Sequence, residues 1–122
     1  MKIRLDVFVF LAIAIFLCGC TKSNDRIDAS QIVRVTVFKL ETNESSSVES
    51  DQITVFIAAY HESIRSRDDV GTTHPFRVDI LLKDGSTISI WGGVGDFCTV
   101  QLNGEQFNIR SDSLGKWFGQ FE

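Results

Sequence analysis

One proline stands in 122 residues, together with only three cysteines. So little proline, beside 11% aromatic residues, excludes an intrinsically disordered chain, which is poor in aromatics and enriched in proline. Cys18, Cys20 and Cys98 are too few for a disulfide framework and wrongly spaced for a structural zinc site. Basic residues are in deficit: 12 Lys and Arg against 16 Asp and Glu leave a net charge of −4. A nucleic-acid binder carries a basic surplus, so no nucleic-acid partner is expected. There is no His-x-x-x-His pair, P-loop or dinucleotide-type glycine pattern. No metal or cofactor is implied. The length is that of one domain.

What is present begins with Met1-Lys2-Ile3-Arg4-Leu5-Asp6 and an apolar run from Val7 to Cys18. That run matches the roughly 7–15 residues of a secretory signal core and falls short of the ~20 that cross a bilayer. Leu17-Cys18-Gly19-Cys20, which ends the run, resembles the lipobox of bacterial lipoproteins. Cys18 departs from the Ala, Ser or Thr that the family prefers at its position. The resemblance implies diacylglyceryl thioether formation on Cys20, cleavage between Gly19 and Cys20, and a membrane anchor of two or three palmitate-type acyl chains. It implies a place in the cell envelope. Thr21 after the cysteine is similar to the outer-membrane address of Gram-negative lipoproteins, which would face the domain to the periplasm. Residues 1–19 are therefore read as a cleaved signal peptide, 20–31 as a lipidated N-terminus with a flexible polar tether, and 32–122 as one small globular domain.

Within that domain, Ile32 to Leu40 is β-branched and alternating, as in a strand. Glu41 to Ser50 is a serine-rich loop. Ile53, Phe56, Ile57, Tyr60 and Ile64 then form one helical stripe, with Ser50 as N-cap and Asp51 in the first turn. Arg65 to Pro75 reads as a charged loop, in which Asp68-Asp69 lacks the ligand alternation of a calcium loop.

Two hairpins follow whose registers can be derived. A three-residue loop Lys83-Asp84-Gly85, with Gly85 left-handed at a bulge, pairs Ile80 with Ile88 and Val78 with Ile90 on one face. A two-residue loop would put those apolar rows on opposite faces. Asn103-Gly104 instead suits a two-residue type I′ turn, pairing Val100 with Phe107 and Cys98 with Ile109. Ser111 then caps a last helix with Leu114, Trp117, Phe118 and Phe121 on one side. The expected fold is α+β. Its order is β-α-β-β-β-β-α: an antiparallel sheet of about five strands, one central helix packed on it, and a short C-terminal amphipathic helix.

Chemistry-bearing residues are sparse. Cys98 alternates in phase with Val100 and Leu102, which makes it a small core hydrophobe; as a nucleophile it would need His61 or His74 beside it. The glycine-rich Trp91-Gly92-Gly93-Val94-Gly95-Asp96 reads as an inter-hairpin loop, with ligand approach as its alternative. No catalytic constellation is legible, so the protein is not expected to be an enzyme. The derived registers place Arg77, Trp91, Phe97 and Arg110 on the face opposite the apolar rows. There the cross-strand pairs Arg77–Trp91 and Phe97–Arg110 suit cation–π contact, and the composition is that of binding interfaces. Either the C-terminal helix packs over these rings as a second small core, or the face is open for recognition. The expected function is a non-catalytic, lipid-anchored binding module for an envelope protein or small ligand. Alternatives are a carrier of a small apolar ligand or lipid in a helix–sheet cleft and, behind it, a small hydrolytic enzyme.

Overall fold

A computed structural model of the chain describes residues 26–67 and 73–122. The signal segment, the lipobox cysteine Cys20 and Asp68-Asp69 lie outside the described residues. The fold is α+β, as expected, with more strands than the hydrophobic pattern announced. The strands are β1 (Ile32–Lys39), β2 (Glu44–Ser47), β3 (Ile64–Ser66), β4 (Phe76–Leu82), β5 (Thr87–Val94), β6 (Phe97–Leu102) and β7 (Glu105–Arg110), with helices α1 (Ser50–Glu62) and α2 (Asp112–Gly119). They form one antiparallel sheet of seven strands in the order β2-β1-β4-β5-β6-β7-β3, against the expected five or so.

The two additional strands are the edges. β2 falls in a segment read as a loop, β3 straddles the end of the predicted helical stripe and the loop read from Arg65, and neither has an apolar row. Every residue of β2 is exposed, and β3 has three residues, of which Ile64 remains 62% exposed. Short polar edges of this kind resist pairing with other chains. Ile64 thereby leaves the helical stripe to which its spacing assigned it: α1 ends at Glu62, and Ile64 pairs with Arg110 on β7. Ser50 is the first helical residue rather than the cap, since Glu49 holds that position without a side-chain hydrogen bond.

The derived hairpin registers are those observed. Ile80 faces Ile88, Val78 faces Ile90, and Gly85 takes φ +88° in the connecting turn. Val100 faces Phe107, Cys98 faces Ile109, and Asn103 and Gly104 are both left-handed, at φ +52° and +77°. In β1 a bulge between Ile32 and Arg34 throws Val33 outward, to 58% exposure. That is how both Ile32 and Val35, three residues apart, turn toward the core.

Both helices lie on one face of the sheet. Phe56, Tyr60, Leu114 and Phe118 are fully buried against Val35, Val78, Ile80, Ile90, Val100 and Ile109. Trp117 packs edge-on against Phe56, with ring centroids 4.6 Å apart, and Phe118 stacks over Phe76 at 6.2 Å. Ser111 is the expected N-cap of α2. Its Oγ accepts from Leu114 N–H at 3.1 Å and donates to the Ala59 carbonyl of α1 at 3.3 Å, joining the two helix ends.

Gly92 and Gly93 belong to strand β5 rather than to a flexible loop. Gly92 continues the core row of Ile88 and Ile90, and the Phe118 ring occupies the room its missing side chain leaves. A Cβ there would lie 2.2 Å from Phe118 Cε2. Gly93 has φ +110° at the bulge between β5 and β6.

Packing also reaches back before β1. Within the stretch read as a tether, Ile27 is buried in the core cluster and its N–H donates to His61 Nε2 at 3.0 Å. Asp28 caps a single 3-10 turn at Ala29–Gln31, and Lys83 N–H donates to the Gln31 carbonyl.

Candidate functional site

Among the described residues, the other face of the sheet carries no helix. Because side chains alternate along a strand, it collects the residues out of phase with the core. Antiparallel registers connect them into a lateral row that crosses all seven strands: Ser45, Phe38, Arg77, Trp91, Thr99, Asn108 and Ser66. At ~4.8 Å between strands the row is about 29 Å long. A second row beside it runs Thr36, Asp79, Ser89, Gln101 and Gln106.

All four residues singled out from the sequence lie on this face. Arg110 faces Phe97 across the ladder with its guanidinium carbon 5.6 Å from the ring centroid, as expected. Arg77 and Trp91 are cross-strand neighbours, but the guanidinium turns the other way. It lies 4.5 Å from the Phe38 ring centroid, and its Nε is 3.1 Å from Asp79 Oδ1. The carboxylate explains the change, since it sits two residues along the same strand and also accepts from Ser89 Oγ at 2.8 Å. The Trp91 ring, left without the guanidinium, is part-buried among its row neighbours.

The helix α2 does not cover this patch. Trp117 and Phe118 are buried on the opposite face with α1, which removes the reading of a second small core over Trp91. Sequence reasoning missed Phe38, and weighed His74 only as a companion for Cys98 rather than as a neighbour of this face. The first had a signal, because it is out of phase with Val35 and Val37 on β1. The second had none: its place depends on the loop before Pro75, which brings His74 Nε2 to 3.4 Å from Thr99 Oγ1. That hydroxyl also donates to Asn108 Oδ1 at 2.9 Å.

The remaining candidates are scattered. Cys98 is buried in the core, where desolvation, reinforced by Asp96, pushes its thiol up to about 12. A thiol so raised holds almost no nucleophilic thiolate near neutrality. Cys98→Ala is expected to cost about 1 kcal/mol of stability, as a small buried group. Native wild-type protein should react with a bulky thiol reagent only after denaturant is added; rapid labelling would contradict the packing. His61 holds the segment before β1 and His74 lies over the open face, so neither is placed with the thiol. Among the described residues no group of His, Cys, Asp or Glu is arranged to hold a metal ion.

Both histidines are held below the usual 6.5, His61 by burial and then by the Arg26 charge, His74 by burial. The His61 nitrogen that accepts from Ile27 N–H must also be unprotonated. The folded chain therefore binds fewer protons than the unfolded chain near pH 6, and stability rises with pH there. This contribution is complete above about 6.5 and is lost as pH falls through the lowered folded values. The urea midpoint should be lower at pH 5.5 than at pH 7.5. A His61→Gln, His74→Gln double variant should flatten that difference.

No family model matches the chain, and no curated protein does. The fold does have a similar solved structure. A crystal structure described as "Putative Lipoprotein from Clostridium perfringens" superposes with a TM-score of 0.57 at 10% identity, covering 71% of this chain and 81% of that one. At that identity the likeness is one of fold. Among the described residues no helix is long and apolar enough to cross a membrane.

Proposed function

We propose that this protein is a non-catalytic, lipid-anchored envelope protein that binds a partner through the open face of its sheet. The observation carrying the binding role is a seven-stranded sheet whose two helices both lie on one side, with Trp91, Phe97, Arg77 and Arg110 on the other. Aromatic residues and arginine are the types enriched where proteins bind one another. The anchor rests on the lipobox-like Leu17-Cys18-Gly19-Cys20, and Thr21 favours an outer-membrane, periplasm-facing location if the cell is Gram-negative. The lipoprotein description of the similar fold agrees with the anchor. The carrier reading finds the space between helices and sheet taken by Phe56, Tyr60, Leu114 and Phe118, all fully buried. A hydrolytic reading would have to work without a low-pKa thiol at Cys98.

Trp91→Ala separates recognition from structure. On an open face it should lower stability by under about 2 kcal/mol, against about 3–5 kcal/mol for a fully buried ring such as Trp117. It should weaken partner binding by about 2 kcal/mol or more, as an aromatic anchor does. A urea titration gives the first number, and cross-linking in intact cells the second. Unaltered cross-linking by the variant would remove the role assigned to this face.

A further inference from the structure

The charge of the open face is opposite to that of the chain. At its strand positions the ionisable groups are Arg34, Arg77, Arg110 and Asp79. Asp79 already lies against Arg77 at 3.1 Å, so the excess is two positive charges on a chain of net −4. All the cations are arginine. Its planar fork binds carboxylates in bidentate fashion and stacks on rings, which lysine does poorly.

The groups around them are of two other kinds. Phe38, Trp91 and Phe97 offer rings at part-exposed positions, and Gln101 and Gln106 offer exposed amides. The larger aliphatic side chains there are Leu81, Ile64, Val94 opposite Phe97, and the outward-turned Val33, all toward the edges or strand ends of the face. A desolvated protein–protein core is more apolar than this. Rings for the apolar faces of sugars, amides for hydroxyls and arginines for carboxylates are the complement of an acidic polysaccharide. The lateral row of about 29 Å, at ~4.8 Å per strand, suits a linear occupant lying across the strands.

We infer that the open face binds an anionic glycan, a linear polymer of carboxylate-bearing sugars. This deepens the proposed function and rests on its reading of the face as a binding surface. Positive charge draws the polymer in, and salt weakens that attraction by screening. Trp91 and Phe97 distinguish a sugar chain from a polyanion without rings, such as an acidic polypeptide, because they contribute most where a ring can be stacked.

The test uses detergent-solubilised protein with polygalacturonate, dextran and poly-L-glutamate of matched length as probes, followed by calorimetry and tryptophan fluorescence. Polygalacturonate should bind at least about tenfold more tightly than either other polymer. Trp91→Ala and Arg110→Gln should each weaken it about tenfold, with Lys116→Gln on α2 unchanged as a control for the loss of one charge. Urea midpoints of the variants establish that they fold. Equal or tighter binding of poly-L-glutamate would overturn the inference in favour of an acidic polypeptide, while leaving the face a binding surface. Equal binding of dextran would overturn its anionic part, and no saturable binding of polygalacturonate would overturn it altogether. The proposed function fails separately, if Trp91→Ala lowers the urea midpoint as far as Trp117→Ala does.

Discussion

Gly92→Ala is expected to destabilise the fold by about 3 kcal/mol, the upper end of what overpacking a filled core costs. The added methyl would arrive 2.2 Å from Phe118 Cε2 and 2.6 Å from Cδ2. The ring cannot retreat, because it is fully buried, stacked at 6.2 Å on Phe76 and set edge-on to Trp117 at 5.3 Å. Relief requires α2 to lift from the sheet, which strains Ser111 and its bonds to Leu114 and Ala59. Phe118→Ala should cost about 3–5 kcal/mol by leaving a cavity in the same place. The two changes are coupled through one space, so their effects should not add. The methyl introduced by Gly92→Ala fills part of the hole that the lost ring leaves, and the double variant should be more stable than the sum of the single costs. Urea titrations of the three variants measure this. Additive costs would mean that Phe118 does not occupy the space above Gly92.

The same glycine shows where sequence reading stops. Ile88 and Ile90 announced the core row, and the next position of that row is Gly92. A row that ends in glycine can mean a loop or a strand making room for a ring, and alternation alone does not separate them. Only Phe118, brought from 26 positions further along the chain by α2, decides it. The hairpins were legible because turn chemistry and hydrophobic phase had to agree. Gly85 and Asn103-Gly104 each permitted one register, and those registers alone placed Arg77, Trp91, Phe97 and Arg110 on a common face. The edge strands were not legible, because edge strands carry no apolar period: Glu44–Ser47 is polar throughout, and Ile64–Ser66 is too short to alternate. The partner of Arg77 was missed for a similar reason. Cross-strand pairing identified Trp91 beside it, but Asp79 on its own strand and Phe38 from β1 compete for the guanidinium. The side to which α2 would fold was open from sequence, since an amphipathic helix fits either face of a sheet. In the structure α2 lies on the core side, with Phe118 over Gly92.

Cys20→Ser is expected to move the protein from the membrane fraction to the soluble fraction. Acyl chains contribute about 0.8 kcal/mol for each buried methylene, and one chain alone holds a protein only marginally. Two or three chains on one cysteine therefore make attachment effectively complete, and removing the thiol that carries them abolishes it. Among the described residues no helix is long and apolar enough to cross a membrane, and α1 and α2 turn their larger apolar side chains to the core. Intact mass of the wild-type protein should exceed that of the polypeptide from Cys20 to Glu122 by a diacylglyceryl group, with or without a third acyl chain. In the serine variant that increment should vanish together with membrane attachment, while the urea midpoint of the domain stays where it was. A wild-type chain found unmodified, soluble and starting elsewhere would remove the anchor from the proposed function. The open face would then have to meet its partner without being held at a membrane. With the anchor in place, Ile27 docked on His61 sets a packed residue of the domain seven positions after Cys20. At no more than ~3.5 Å per residue, that spacing bounds how far the proposed binding face can stand from the lipid surface.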